Sequence, residues 1–153
     1  MKKTARSVML AGLFSAFLAF APAQGADNPE AVIKYRQNVM KSQGGHLGAI
    51  FAVLKNRLSF QGHIADHARG IHLTSQMIPD MFPEGSGSGK TQAKPEIWEN
   101  WSKFKMAAEA LQKESAALVT VAQSGDMQAI GKQAQALVKT CGGCHKHFRK
   151  RKK

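Results

Sequence analysis

From Ile97 onward the chain carries apolar or small residues in steps of four and three: Ile97, Trp101, Phe104, Ala108, Leu111, Ser115, Leu118 and Ala122. That spacing lays one stripe along one side of a 3.6-residue helix. No segment of the chain alternates with a period of two for long enough to make a strand. A helix with a single apolar stripe must bury it against other elements, and here those are helices too.

Three further segments read the same way. Asn28-Pro29-Glu30 is a helix start: a capping amide, proline at the first helical position, and an acid near the positive end of the dipole. Apolar or small residues then recur at Val32, Val39, Met40, Gly44, Leu47, Phe51 and Leu54. Gly44, Gly45 and Gly48 weaken this helix by up to about 1 kcal/mol each relative to alanine. Such glycines either admit another backbone or a flat ligand, or simply mark loose packing. A second helix is expected from about Phe60 to Ile78, with Phe60, Ile64, Ala68, Ile71 and Ile78 on its stripe and Pro79 ending it. Residues 79–94, with two prolines and three alternating glycines, read as a long surface connection. The third helix opens at Pro95-Glu96, Gly125 breaks it, and Ser124 or Asp126 caps the last. There Met127, Ile130, Ala134, Leu137, Cys141, His145 and Phe148 form the inward face. Four helices with two short connections and one long one predict an antiparallel four-helix bundle.

The chain has 153 residues and a formal net charge of +12, from 22 Lys+Arg against 10 Asp+Glu. By itself that balance suggests nucleic acid, an anionic membrane or acidic proteins as partners. The N-terminus explains part of it. Lys2, Lys3 and Arg6 precede an uncharged apolar run from Val8 to Ala21, followed by small residues at Ala21, Ala23 and Ala26. This is the pattern of a secretory signal peptide over residues 1–26, cut after Ala23 or Ala26, and the run is too short to span a bilayer. Removing those three cations and no acid leaves 19 against 10, or +9, for a single domain over residues 27–153. Six of the nineteen are Lys146, Arg149, Lys150, Arg151, Lys152 and Lys153. Export to the periplasm makes nucleic acid an improbable partner, and no stable membrane insertion is expected after cleavage.

Cys141-Gly142-Gly143-Cys144-His145 is C-x-x-C-H, the attachment signature of a c-type haem. Thiols at i and i+3 on one helical turn can add to the two vinyl groups of one porphyrin. The next histidine then offers an imidazole nitrogen to the iron from the proximal side. Cys141 and His145, four apart, continue the stripe set by Ala134 and Leu137. The rival readings fare worse. A thioredoxin-like C-x-x-C needs a βαβ setting, a zinc site needs two more ligands of which His147 supplies at most one, and a disulfide within one helical turn is strained and leaves His145 unexplained.

With this motif at the end of the chain, the sequence resembles cytochrome c′, the class II c-type cytochromes, over essentially all of residues 27–153. The resemblance extends to Tyr35-Arg36-Gln37-Asn38-Val39-Met40 in the first helix, Lys94-Pro95-Glu96-Ile97-Trp98 opening the third, and the closing Phe148-Arg149-Lys150. It implies one covalent haem c with its iron, held by Cys141 and Cys144 and ligated by His145. It implies Met40 on the distal face of the iron, as sixth ligand in a low-spin protein or as an unbound neighbour in a five-coordinate one. Arg36 and Arg149 become partners of the haem propionates or haem edge. The implied function is a periplasmic carrier of single electrons, not an enzyme, with acidic redox partner proteins; the alternative is a five-coordinate haem protein that binds NO or CO. Members often form antiparallel homodimers through their first two helices, for which Ile33, Ile50 and Val53 are the expected patch. Of the other histidines, His63 and His67 read as solvated surface residues, His46 as too far along its helix to serve as the distal ligand, and His147 as facing away from the iron.

Overall fold

The computed structural model describes residues 27–151; residues 1–26, on which the expected export signal falls, lie outside the described residues. The described chain is all helical: α1 (Pro29–Asn56), α2 (Ile64–Gln76), α3 (Glu96–Glu99), α4 (Trp101–Ala122) and α5 (Met127–Phe148), with short 3₁₀ turns at Gln61–His63 and Pro79–Met81. The four long helices form the bundle. α1 packs on α2, α2 on α4 and α4 on α5, whereas α1 and α5 touch at few points.

Local chemistry accounts for most helix ends. The Asn28 side chain accepts from the backbone N–H groups of Glu30 and Ala31, satisfying two donors that have no partner within the helix. Asp126, not Ser124, caps α5 by accepting from Gln128 and Ala129. Gly125 supplies the turn before it at φ +70°, a left-handed conformation that costs a side chain about 1 kcal/mol or more. α1 ends at Arg57, itself left-handed at φ 52°, whose N–H bonds the Val53 carbonyl.

Three expectations change. The second helix begins at Ile64 rather than Phe60, because the 3₁₀ turn over 61–63 redirects the chain and leaves Phe60 exposed, stacked on His63. The third helix is not continuous: Asn100, at φ −124° and ψ 46°, separates α3 from α4, although Ile97 and Phe104 stay buried on either side of the break. In α1 the fully buried face is Ile33, Arg36, Gln43, Ile50 and Val53, while Val39, Met40, Leu47, Phe51 and Leu54 are half-buried around it. Ile33, Ile50 and Val53 therefore point into the core and cannot supply a dimer patch. Two polar residues, Arg36 and Gln43, hold buried positions on this stripe, and that hides its phase from a reading based on hydrophobicity alone.

The core is continuous through Ile50, Ile64, Ala68, Ile71, Phe104, Leu118, Ile130, Ala134 and Leu137. At the end of the bundle away from the α4–α5 turn, Phe82, Phe104 and Phe148 pack edge-to-face, with centroids 4.8 and 5.3 Å apart. The long connection belongs to the core here. Met81, Phe82, Ser86 and Ala93 are buried, and the Trp98 indole N–H donates to the carbonyls of Phe82 and Pro83. The chain after α5 then pairs with it: Lys94 N–H bonds the Phe148 carbonyl and Lys150 N–H the Gln92 carbonyl.

Candidate functional site

Where α1 and α5 part, a cavity of about 660 Å³ opens between them. Met40, Gly44 and Leu47 of α1, Phe82 of the connection, Phe104 and Leu111 of α4, and Leu137, Cys141, Cys144 and His145 of α5 contribute to its wall. Its size falls in the range of cofactor sites, and its wall is mostly apolar. Among the described residues no buried side-chain nitrogen or oxygen lacks a hydrogen-bond partner, so no orphaned polar group points into this space. Gly44 is a wall residue with no atom within 4 Å of where a Cβ would stand, as is also true of Gly45 and Gly48 outside the wall.

The α5 helix runs unbroken through Cys141-Gly142-Gly143-Cys144-His145. Both cysteines are free, half-buried and on the cavity wall. Burial, with Cys141 beside it, pushes the Cys144 thiol up to about 11, and burial raises Cys141 as well. A redox or nucleophilic pair needs a depressed pKa, and burial works in the opposite direction at both positions. His145 sits at the edge of the same cavity. Partial burial and the Arg149 charge lower its pKa, favouring the neutral imidazole that can ligate a metal.

Met40 and Arg36, one turn apart on α1, reach the cavity from the opposite side. Arg36 is 3% exposed, and both of its terminal nitrogens are turned onto the long connection. Nη1 donates to Ser86 Oγ at 2.8 Å, and Nη2 to the Ser86 carbonyl at 2.6 Å and to Thr91 Oγ1 at 2.7 Å. Its guanidinium also lies 4.6 Å over the Phe82 ring. Arg149 is exposed at the rim and donates through Nε and Nη2 to Gln92 Oε1. Lys146, Lys150 and Arg151 are exposed around it.

Ser86, Thr91 and Gln92, the partners of these arginines, went unnoticed in the sequence because a Gly-Ser run carries no periodic signal. The aromatic wall of Phe82, Phe104 and Phe148 was partly visible, since two of the three lie on predicted stripes. One histidine, His67, also differs from the solvated position expected of it. His67 is half-buried and faces His46, with the two Nδ1 atoms 3.0 Å apart. Among the described residues no group of three or more His, Cys, Asp or Glu is placed to hold a metal ion, and no helix is long and apolar enough to cross a membrane.

The donor set fits a haem. Two thiols three residues apart, the adjacent imidazole, an apolar wall and cationic groups at the rim converge on one cavity. A family model described as cytochrome c′ matches residues 31–149. The chain is 37% identical to the cytochrome c′ of Rhodospirillum rubrum over 145 residues, covering 94% of this chain and 98% of that one. It is 32% identical to a cytochrome c-556 of Agrobacterium tumefaciens, covering 78% and 98%. Among solved structures it resembles the nitric oxide complex of a mutant cytochrome c prime from Alcaligenes xylosoxidans, with TM-score 0.75, 27% identity, and 82% and 98% coverage.

Proposed function

The chain belongs to the cytochrome c′ family, whose members bind one covalent haem c with its iron, and from that premise we propose that it is a periplasmic carrier of single electrons. When bound, the haem supplies a one-electron Fe(III)/Fe(II) couple. Cys141 and Cys144, on one turn of α5 and facing one cavity, are assigned as its thioether anchors. His145 would ligate the iron from α5, and Met40, on the opposite wall of the cavity, would face it from α1. Arg149 at the rim would supply positive charge toward the propionates, whereas Arg36, expected in the same role, lines the cavity with its terminal nitrogens held by Ser86 and Thr91.

The observation that carries the carrier reading is the position of the C-x-x-C-H turn. His145 is exposed at the cavity edge, next to exposed Lys146, Arg149, Lys150 and Arg151. A cofactor edge there is within reach of a docked protein, and the basic rim steers an acidic one. The site offers no activated nucleophile and no acid–base pair, which supports a carrier over an enzyme. Residues 1–26 act as the export signal, cut after Ala23 or Ala26, and residues 27–153 are the exported domain.

A second reading rests on the neighbour solved with nitric oxide bound. If the Met40 thioether stays off the iron, the apolar distal wall admits small uncharged gases in preference to anions. The ferrous optical spectrum separates the two. Sharp α and β bands mean six-coordinate low-spin iron and support the carrier; a broad high-spin spectrum that shifts with NO or CO supports gas binding. A pyridine haemochrome assay that finds no covalent haem in the exported protein refutes both.

A further inference from the structure

Away from the haem cavity, α1 and α2 bring two imidazoles together. His46 lies on α1 one turn before the buried Ile50, and His67 on the first turn of α2, and their Nδ1 atoms stand 3.0 Å apart. The rings are tilted at 52° with centroids 5.3 Å apart, so they meet at nitrogen rather than stack. The seat for His46 is built into α2. At Gly70 a Cβ would stand 2.7 Å from His46 Nε2 and 2.9 Å from its Cε1, so a side chain there would push the ring out of this position. That contact turns Nε2 toward the α2 backbone and leaves Nδ1 as the nitrogen aimed at His67.

We propose that His46 and His67 form a two-histidine site for a divalent cation of the nickel, copper and zinc group, bridging α1 and α2. Two imidazole nitrogens bound to one such ion at about 2.0–2.1 Å each, at a tetrahedral or square angle, lie roughly 2.8–3.4 Å apart. The observed separation is already in that window, so binding requires little movement of either helix. Imidazole is the ligand type this group of metals favours, with copper bound most strongly. The remaining positions on the ion go to water, since no third ligand converges here among the described residues; the ion is therefore exchangeable.

The surrounding groups favour the neutral form of His67. Burial, then the nearby His46 and His63, lower the His67 pKa against a weaker opposing effect of Asp66. Asp66 is itself paired with Arg69 on the outer face. His63 is stacked on Phe60, and His72 points to the Gln112 carbonyl and Ser115 on α4, so neither competes for the site. The site is independent of the haem assignment.

The test is a calorimetric titration of the haem-loaded protein, free of any affinity tag, with zinc chloride near pH 7.5. One saturable site per chain is expected. His46→Gln and His67→Gln should each weaken it roughly tenfold or more, whereas His63→Gln and His147→Gln should leave it within about twofold. A second measurement needs no variant: zinc should shift the imidazole ¹⁵N resonances of His46 and His67 in the wild-type protein and leave that of His63 in place. Unchanged zinc affinity in His46→Gln or His67→Gln overturns the proposal. So does the absence of saturable binding in the wild type, which would leave the pair as a shared-proton hydrogen bond only.

Discussion

Replacing Arg36 with methionine tests whether one buried cation holds the long connection against the bundle. Methionine keeps an apolar stem of similar length and removes the guanidinium. Three short charge-assisted hydrogen bonds disappear, to Ser86 Oγ, the Ser86 carbonyl and Thr91 Oγ1. Their losses are unequal. Ser86 Oγ still donates to the Pro83 carbonyl, and Thr91 Oγ1 still accepts from Ala93 N–H. The Ser86 carbonyl, on a residue 1% exposed, has no such fallback, and stranding it costs about 1–3 kcal/mol. Loss of the cation over Phe82 adds about 1 kcal/mol. Removing the buried charge returns some of its desolvation cost, so the net expectation is about 2–4 kcal/mol of lost stability. Urea denaturation of the haem-loaded variant measures this, and amide exchange locates it: Ser86, Thr91 and Lys94 should lose protection while the α2 and α4 cores keep theirs. A loss under about 1 kcal/mol, or one with protection of residues 83–94 intact, refutes the reasoning. A shifted reduction potential with the connection still protected would instead identify Arg36 as chiefly a haem-propionate partner.

Three other perturbations have defined outcomes. Gly87→Ala places a Cβ 2.8 Å from the Trp98 ring, which cannot retreat while its indole N–H is bonded to Phe82 and Pro83, so calorimetric unfolding should show a loss of about 1–3 kcal/mol. Met40→Leu removes the only thioether that the distal assignment invokes: a ferrous spectrum that turns from low-spin to high-spin means that Met40 ligates the iron, and an unchanged spectrum means that it does not. For pH, the folded-state pKa of His67 lies below its unfolded value near 6.5, so the unfolded chain takes up its proton first on acidification. The stability associated with neutral His67 is fully present above that unfolded value and is lost as the pH falls through it toward the folded pKa. His67→Gln should flatten the stability-against-pH curve below about 6.5, as measured by urea midpoints at fixed ionic strength.

How much could be read without coordinates differs from one residue to the next. Asn28, Pro29, Gly125 and Asp126 act within a turn of their own position, and each does in the structure what its chemistry predicts. The α4 stripe was legible because its buried members are apolar or small. Ser115 is no exception in effect, because its hydroxyl bonds back to the Gln112 carbonyl within the same helix. The α1 stripe was misphased for the opposite reason. Arg36 and Gln43 are buried by virtue of partners 31 to 55 residues away, Ser86, Thr91 and Thr74, and hydropathy does not register such partners.

The site divides along the same line. Cys141, Cys144 and His145 lie within five residues, so the geometry of one helical turn is enough to bring two thiols and an imidazole to one face; sequence determined that, along with the helical class of the fold. Only tertiary structure decided what faces that turn. The parting of α1 from α5 creates the cavity, the connection becomes its wall because Arg36 binds it, and His46 meets His67 because Gly70 has no side chain. Each of these depends on groups distant in the chain meeting at a few ångströms, and local periodicity carries no information about such meetings.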